Sequence, residues 1–549
     1  MAGDKGLSAP SYDYVVVGAG SSGAALAHRL ALQPDTSVLL LEAGGAHHND
    51  FWVRTPLGIG RLLQNPKYVW PFFTEPQEQV NNQKVYWPRG KMPGGSSSIN
   101  GMIYVRGDPR EYDHWRDLGC TGWGYQDLLP YFKKLESAPL GDDAYRGRQG
   151  PIRVTSLAQD PQPLGDAFHA GCLEAGIAAN PDYNGARYEG VGYLQLSTHQ
   201  GQRSSTARAY LDRFTPPRLT LQVQAQATSV MWEGTRAVGI RYLHNGQALQ
   251  VLARREVILS AGPIVSPQLL ELSGVGQAKR LRELGVEVKA DVPGVGENLC
   301  DHLQGRITFE CTQRISLNEI VSSPIRQAWM GAKYLLTRRG MMATPSATVH
   351  ALVPAHPDEP RATVKIQMTH LSANSRYTRS PGAGLDPFPG FGIGFFQLRP
   401  RSRGHVHARS PDALKAPLMD PRYLQHPADQ DDMVRAFRMA RHVSGQPALQ
   451  GLIRRETRPG LDVQNDAAVL DYIRQCGQTS WHPIGTCKMG TDAMAVVDPQ
   501  LRVKGVQALR VIDSSIMPTM PSSNTNAASI AIGEKGADCI LQHPFKVNA

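Results

Sequence analysis

The stretch Tyr14-Val15-Val16-Val17-Gly18-Ala19-Gly20-Ser21-Ser22-Gly23, answered by Val38-Leu39-Leu40-Leu41-Glu42, decides the fold. Tyr14 to Val17 is a short apolar run, suited to a strand buried on both faces of a parallel sheet. The glycines follow at once, Ala24 to Leu32 reads as a helix, and Val38 to Leu41 is a second apolar strand. This is one complete βαβ unit, and each glycine in it has its own reason. Gly18 permits a tight turn, Gly20 lets the backbone approach a pyrophosphate, and Gly23 lets helix and strand pack closely. The helix start at Ser21 and Ser22 offers unpaired N–H groups and a positive dipole end to phosphates. Glu42, followed by Ala43, stands at a strand end where a carboxylate accepts hydrogen bonds from ribose hydroxyls. A Gly-rich turn alone is a weak signal; strand, helix and acid together make a dinucleotide site, without separating one dinucleotide from another.

The rest of the composition bounds the possibilities. With 549 residues, the chain needs two or more domains or one large domain with insertions. Hydrophobic residues at 41% and charged residues at 19% are ordinary for a globular protein, and 54 Gly with 40 Pro fit a loop-rich enzyme. The formal net charge is +10, yet no Lys/Arg run exceeds a pair. A nucleic-acid partner is therefore not expected, whereas peripheral contact with an anionic membrane stays open. The seven cysteines form no CxxC pair, so neither a disulfide framework nor a metal site is expected. That usage fits a reducing, cytoplasmic setting, with peripheral association to an inner membrane left open. Met1 to Pro10 carries no apolar signal-like core, and no apolar stretch is long enough to span a bilayer.

Two more strand-like runs lie far downstream. Glu256 to Leu259 leads into Ser260-Ala261-Gly262-Pro263, and Leu509 to Ile512 leads into Asp513. The strand–turn–helix rhythm is missing from about 155 to 215 and from about 307 to 475. We therefore expect a discontinuous cofactor domain (12–154, 216–306 and 476–549), a substrate domain (155–215 and 307–475) and a flexible N-terminus (1–11).

Four further segments narrow the reading. They are Pro88-Arg89-Gly90-Lys91-Met92-Pro93-Gly94-Gly95-Ser96-Ser97-Ser98-Ile99-Asn100-Gly101, Ser260-Ala261-Gly262-Pro263 through Gly276, Pro293-Gly294-Val295-Gly296-Glu297-Asn298-Leu299-Cys300-Asp301-His302, and His482-Pro483-Ile484-Gly485-Thr486 continuing to Asn524-Thr525-Asn526. With the βαβ unit, and in this order, they resemble the glucose–methanol–choline (GMC) oxidoreductase family from Tyr12 to about Ile540. Trp87 to Lys91 and Asp513 to Pro518 are most similar to its bacterial alcohol and sorbose dehydrogenase-like members. The resemblance implies an α/β fold: a Rossmann-type FAD-binding domain with a discontinuous α+β substrate domain of antiparallel sheet and helices. It implies oxidation of an alcohol CH–OH to aldehyde or ketone, electrons passing to a quinone, a dye or oxygen. Beyond the βαβ unit, it assigns FAD binding to Arg89, Gly94, Gly95, Ser98, Asn100, Gly101, Met102, Ala227, Asp513, Ser514, Asn526 and Ala527. Some relatives bond a histidine covalently to the flavin just before the Asn100 position; Ile99 cannot form that bond, so FAD is expected to be noncovalent. Cys300 departs from the pattern, because relatives carry Gln there.

Alcohol oxidation removes a proton from oxygen and a hydride from carbon, and histidine is the side chain best matched to the proton. His482 matches the family's active-site histidine, and Asn526 is assigned to the second active-site position, as hydrogen-bond donor to the substrate oxygen. Asn526 also stands where it would cap a helix over Ala527 to Ile540. Trp481 and Ser480 are expected to line the site, with His350 and Met342 facing substrate. An oxygen-using alcohol oxidase and an FAD-containing hydroxynitrile lyase are alternatives on the same fold; an NAD-dependent dehydrogenase and a nonenzymatic flavoprotein are further rivals.

Overall fold

The computed structural model describes residues 9–212, 215–356, 358–374 and 384–545. Most of the expected flexible N-terminus, residues 1–8, lies outside them, and the first strand already begins at Ser11. That strand, Ser11–Val17, is central in a seven-stranded sheet. It pairs in parallel with Val38–Leu41 on one side and Gln247–Leu259 on the other. Leu219–Gln222 extends the parallel set beyond Val38–Leu41, and Leu509–Val511 joins Gln247–Leu259 in parallel. Only the arm Ala225–Glu233 and Arg236–His244 runs antiparallel. Val15, Val16, Leu40, Val257 and Ile258 are fully buried, as an apolar run without alternation requires.

The register sets the site. Val17 is level with Leu41 and with Leu259, and Leu259 with Val511. The residues that follow, Gly18, Glu42, Ser260 and Asp513, therefore come together at the carboxyl edge of one sheet. That edge is where open α/β sheets bind ligands.

A second sheet is antiparallel throughout: Ile453–Arg458, Leu303–Cys311, Gly390–Gln397, Val364–Thr369, Ala347–Val353 and Gly190–Tyr193, with Gln478–Thr479 added to Leu303–Gln304. The helix Pro427–Ser444 covers it, and Phe437 stands edge-on to Phe395. Each sheet has its own core cluster. The strand Leu303–Cys311 crosses the expected boundary at 306/307, so the antiparallel sheet reaches into the neighbourhood of the cofactor domain. All seven cysteines are free, and no cluster of metal-binding side chains occurs among the described residues.

Candidate active site

A cleft opens at the carboxyl edge of the parallel sheet. It is lined by Gly18, Gly20, Ser21, Ser22, Glu42, Ala43, Arg89, Gly95, Ala227, Asp513 and Ser514, all expected from sequence. The helix Ser21–Ala31 starts here with no side-chain cap, leaving its first N–H groups for another acceptor. Gly18, at φ +101°, makes the turn, and a Cβ there would lie 2.5 Å from the Ser260 carbonyl. A Cβ on Gly23 would lie 2.0 Å from the Gly18 carbonyl, so this glycine serves helix–strand packing rather than the cleft. Gly20 differs from both. Its backbone, at φ −77°, suits any residue, and a Cβ there would meet no atom within 4 Å. Nothing inside the protein demands a glycine at 20; the open cleft in front of it does. Gly94 donates to the Ala19 carbonyl (2.7 Å), clamping the second glycine turn onto the first. A Cβ on Gly95 would come within 2.8 Å of the Gly20 Cα. These features fit the pyrophosphate of a dinucleotide.

Glu42 is buried at the far end of this turn and accepts from Ala19 N (3.1 Å) and Gly44 N (2.8 Å). Burial pushes its carboxyl up to about 7. Asp513 lines the cleft, but its carboxylate is spent on the protein: it accepts from Gly262 N (2.9 Å), Ser266 Oγ (2.6 Å) and Ser515 N (2.8 Å). Ser98 and Gly94 do not reach the cleft surface; Ser98 Oγ is turned to the Pro93 carbonyl (2.8 Å). Ala527 is buried on the helix that follows Thr525.

A second cavity shares Ser21, Arg89, Ser96, Ser514 and Ser529 with the first. Asn100, Gly101, Met102, Ser480, Trp481, His482, Asn524 and Asn526 line it. Trp481 stands at φ +63°, a costly left-handed conformation for a bulky residue and one that clusters at functional sites. Its neighbours hold it: Trp481 N donates to Thr479 Oγ1 (2.7 Å) and its carbonyl accepts from Arg89 (3.0 Å). Asp301 fixes the next residue. Its carboxylate accepts from His482 N (2.7 Å), from Thr479 Oγ1 (2.6 Å) and from the Tyr423 hydroxyl. Cys300, the departure from the family pattern, is buried against the Pro400 carbonyl and accepts from Arg403.

The protonation of the His482 ring follows from its neighbours. His302 Nε2 lies 3.1 Å from the Leu398 carbonyl, which only accepts, so Nε2 carries a proton. Burial lowers the His302 pKa to about 4, so the ring is neutral and its Nδ1 is an acceptor. His302 Nδ1 is 3.0 Å from His482 Nδ1, which must therefore donate. That leaves a lone pair on His482 Nε2, which accepts from Asn524 Nδ2 at 3.0 Å. The Asn524 amide cannot flip freely, because its Oδ1 accepts from Lys365 Nζ (2.9 Å). Lys365 is fully buried on the antiparallel sheet, and burial lowers its pKa to about 7.

Four expectations are corrected here. Asn524, not Asn526, is the amide at the His482 ring. Asn526 is the first residue of the helix Asn526–Gln542 rather than its cap, and its Oδ1 accepts from Ser21 Oγ (2.8 Å). His350 does not face the cavity: it is buried within the strand Ala347–Val353, edge-on to Tyr183 at 4.3 Å. Met342 is likewise absent from the lining. The sequence assigns no role to Lys365 or His302, although Asp301-His302 closes one of its motifs. No local pattern marks a lysine within an apolar strand as the partner of an amide 159 residues away.

Comparison with known proteins agrees with this architecture. The N-terminal profile of GMC oxidoreductases matches residues 12–304 and the C-terminal profile matches residues 400–533. The chain is 40% identical to the oxygen-dependent choline dehydrogenase of Paraburkholderia xenovorans, over 97% of this chain and 95% of that protein. It is 39% identical to the mitochondrial choline dehydrogenase of Mus musculus, over 97% and 90% respectively. Among solved structures, pyridoxine 4-oxidase from Mesorbium loti superposes with a TM-score of 0.87 at 30% identity, over 97% of this chain and 99% of that one. No helix of the described residues is long and apolar enough to cross a membrane. The cleft, the second cavity and the length of these matches lead to one conclusion: the chain belongs to the GMC oxidoreductase family and is an FAD-dependent enzyme that oxidises the CH–OH group of an alcohol.

Proposed function

We propose that the substrate is a neutral alcohol on an apolar chain, with His482 as general base and Asn524 as anchor of the hydroxyl oxygen. The observation that carries the substrate class is the charge of the cavity. No carboxylate is among its lining residues, whereas Arg89 lines it and Lys365 stands directly behind Asn524. A quaternary ammonium group would meet no carboxylate on the cavity wall itself; the Asp301 carboxylate behind it is taken up by His482 N, Thr479 Oγ1 and the Tyr423 hydroxyl and is paired electrostatically with Arg89. The apolar part of the lining, Ile59, Leu63, Ile99, Ile103, Phe396 and Trp481, suits hydrocarbon instead. The names of the choline-oxidising relatives therefore do not fix the substrate of this chain.

Residues on the pyrophosphate turn, with Glu42, hold FAD in this reading, and Ile99 leaves it noncovalent. Bound FAD supplies the acceptor for the hydride. The chain supplies the rest. An alcohol oxygen placed between His482 and Asn524 accepts from Asn524 Nδ2 and donates its proton to His482 Nε2. Lys365 keeps the amide N–H pointed at the oxygen as negative charge builds there. His302 Nδ1 accepts the other ring proton of His482, so the imidazolium formed is hydrogen-bonded on that side from the start. Phe396 and Trp481 exclude water from the reacting atoms. The reduced enzyme then passes its electrons to an external acceptor: a quinone, a dye or oxygen.

The test is an anaerobic flavin-reduction screen of neutral alcohols of increasing chain length against choline. Neutral alcohols are expected to reduce the flavin with kcat/KM at least about tenfold above choline, a difference of about 1.4 kcal/mol. Choline as the preferred substrate would contradict the charge argument.

A further inference from the structure

We propose that the helix Pro324–Thr337 is an interfacial anchor that seats the enzyme on an anionic lipid bilayer, a few residues before a segment that lines the active site. Large apolar residues usually project singly from a protein surface, and then they need no explanation. Here they are contiguous. Ile325 is 83% exposed, Trp329 73%, Leu335 56% and Leu336 85%. At 3.6 residues per turn these four, with the exposed Ala328 and Ala332 between them, fall within one arc of about 120°. Tyr334 points the opposite way. It is the one buried residue of the helix and donates from its hydroxyl to the Gly201 carbonyl (3.0 Å). The helix thus rests on Tyr334 and turns its apolar arc away from the molecule. Among the described residues, nothing covers that arc.

Charge selects the occupant. From Ile320 to Pro357 the chain contains no Asp or Glu, while Arg326, Lys333, Arg338 and Arg339 stand on or just after the helix. An apolar face with an indole and flanking basic side chains is the composition of a helix that lies in the headgroup region of an anionic leaflet; the carboxylate at its end, Asp160, is half-buried and taken up by Gly340 N (2.6 Å). A second copy of the chain fits worse, because a two-fold contact through this face would bring two identical basic sets together with no Asp or Glu between residues 320 and 357 to offset them. The position adds a functional reason. The helix runs through Arg338, Arg339 and Gly340 into the turn Met341–Ala343, and then Pro345, Ser346 and Ala347 line the cavity that holds His482. Seating the helix on a bilayer puts a segment that lines that cavity close to the lipid surface, where apolar molecules are concentrated. The inference stands on the helix itself and does not require the substrate class proposed above.

The experiment is co-sedimentation of the FAD-loaded enzyme with vesicles of phosphatidylcholine plus phosphatidylglycerol, and with vesicles of phosphatidylcholine alone. Wild-type enzyme is expected to sediment with the anionic vesicles at low salt and to be released by salt. The double variant Trp329→Ser/Leu336→Ser should partition at least about tenfold more weakly. Lys333→Glu/Arg339→Glu should lose the preference for anionic vesicles. Both variants should keep lipid-free flavin reduction by alcohol at the wild-type rate, which shows that they are folded. Wild-type enzyme that ignores both vesicles, or variants that bind as wild type does, would overturn the proposal. So would a wild-type dimer in solution that Trp329→Ser/Leu336→Ser dissociates, because the arc would then be covered by a second copy.

Discussion

Two asparagines two residues apart, Asn524 and Asn526, carry different tasks, and the difference lies in where the turn before the last helix points each side chain. Asn524 donates to His482 Nε2 and accepts from Lys365, whereas Asn526 accepts from Ser21. Asn524→Ala should lower kcat/KM for flavin reduction by about 10²–10³-fold, the range seen when one donor to a developing oxyanion is removed. Asn526→Ala should cost much less in that step, and stopped-flow reduction of both variants separates the two. A sequence shows both amides but not their directions, because no period relates side chains in an irregular turn. His350 failed for a related reason: the strand Ala347–Val353 is buried on both faces, so alternation gives no sign of which residues meet the cavity. Lys365 gives a pH prediction at the same scale. Its ordinary value of 10.5 falls to about 7 in the folded protein. The unfolded chain therefore binds the extra proton between those values, and the stability that goes with a neutral Lys365 is lost as pH falls from about 10.5 towards about 7. Lys365→Met should gain melting temperature over wild type at pH 6 relative to its gain at pH 10, while flavin reduction slows. A melting-temperature difference between the two proteins that is independent of pH would contradict the burial of a charged lysine.

At the scale of elements, the first βαβ unit was legible almost whole. An apolar strand without alternation, a glycine turn, a helix and a second apolar strand leave few other topologies, and the helix predicted over 24–32 spans Ser21–Ala31. The second sheet was not legible in detail, because its strands are separated by long connections and pair far apart in sequence, as Leu303–Cys311 does with Gly390–Gln397. The glycine turn yields a paired prediction. Gly20→Ala meets no protein atom, so the FAD-free protein should unfold at the wild-type temperature while its affinity for FAD drops by about tenfold or more. Gly23→Ala puts a methyl 2.0 Å from the Gly18 carbonyl and should destabilise the fold itself by about 1–3 kcal/mol. Thermal melts with and without added FAD, together with FAD titration, distinguish the two.

Across the whole molecule, the active site exists only where the two sheets meet. Ser21, Ser514 and Asn526 come to the second cavity from the Rossmann side, and Gln304, Gln367, Thr369 and Phe396 from the antiparallel side. His482 stands just after the short strand Gln478–Thr479, which pairs onto the antiparallel sheet. The cofactor half was traceable from motifs, but the Lys365–Asn524–His482–His302 chain of contacts joins the two sheets and appears only in three dimensions. Because Ile99 occupies the position at which covalent attachment would need a histidine, acid precipitation should release all the yellow chromophore into the supernatant; a yellow pellet would contradict noncovalent binding. The most direct test of the account is anaerobic flavin reduction by an alcohol substrate in wild type and in His482→Ala, both loaded with FAD. The account predicts that the variant retains the flavin spectrum but is reduced about 10²–10⁴-fold more slowly. Reduction of the variant at a rate near that of wild type would contradict it.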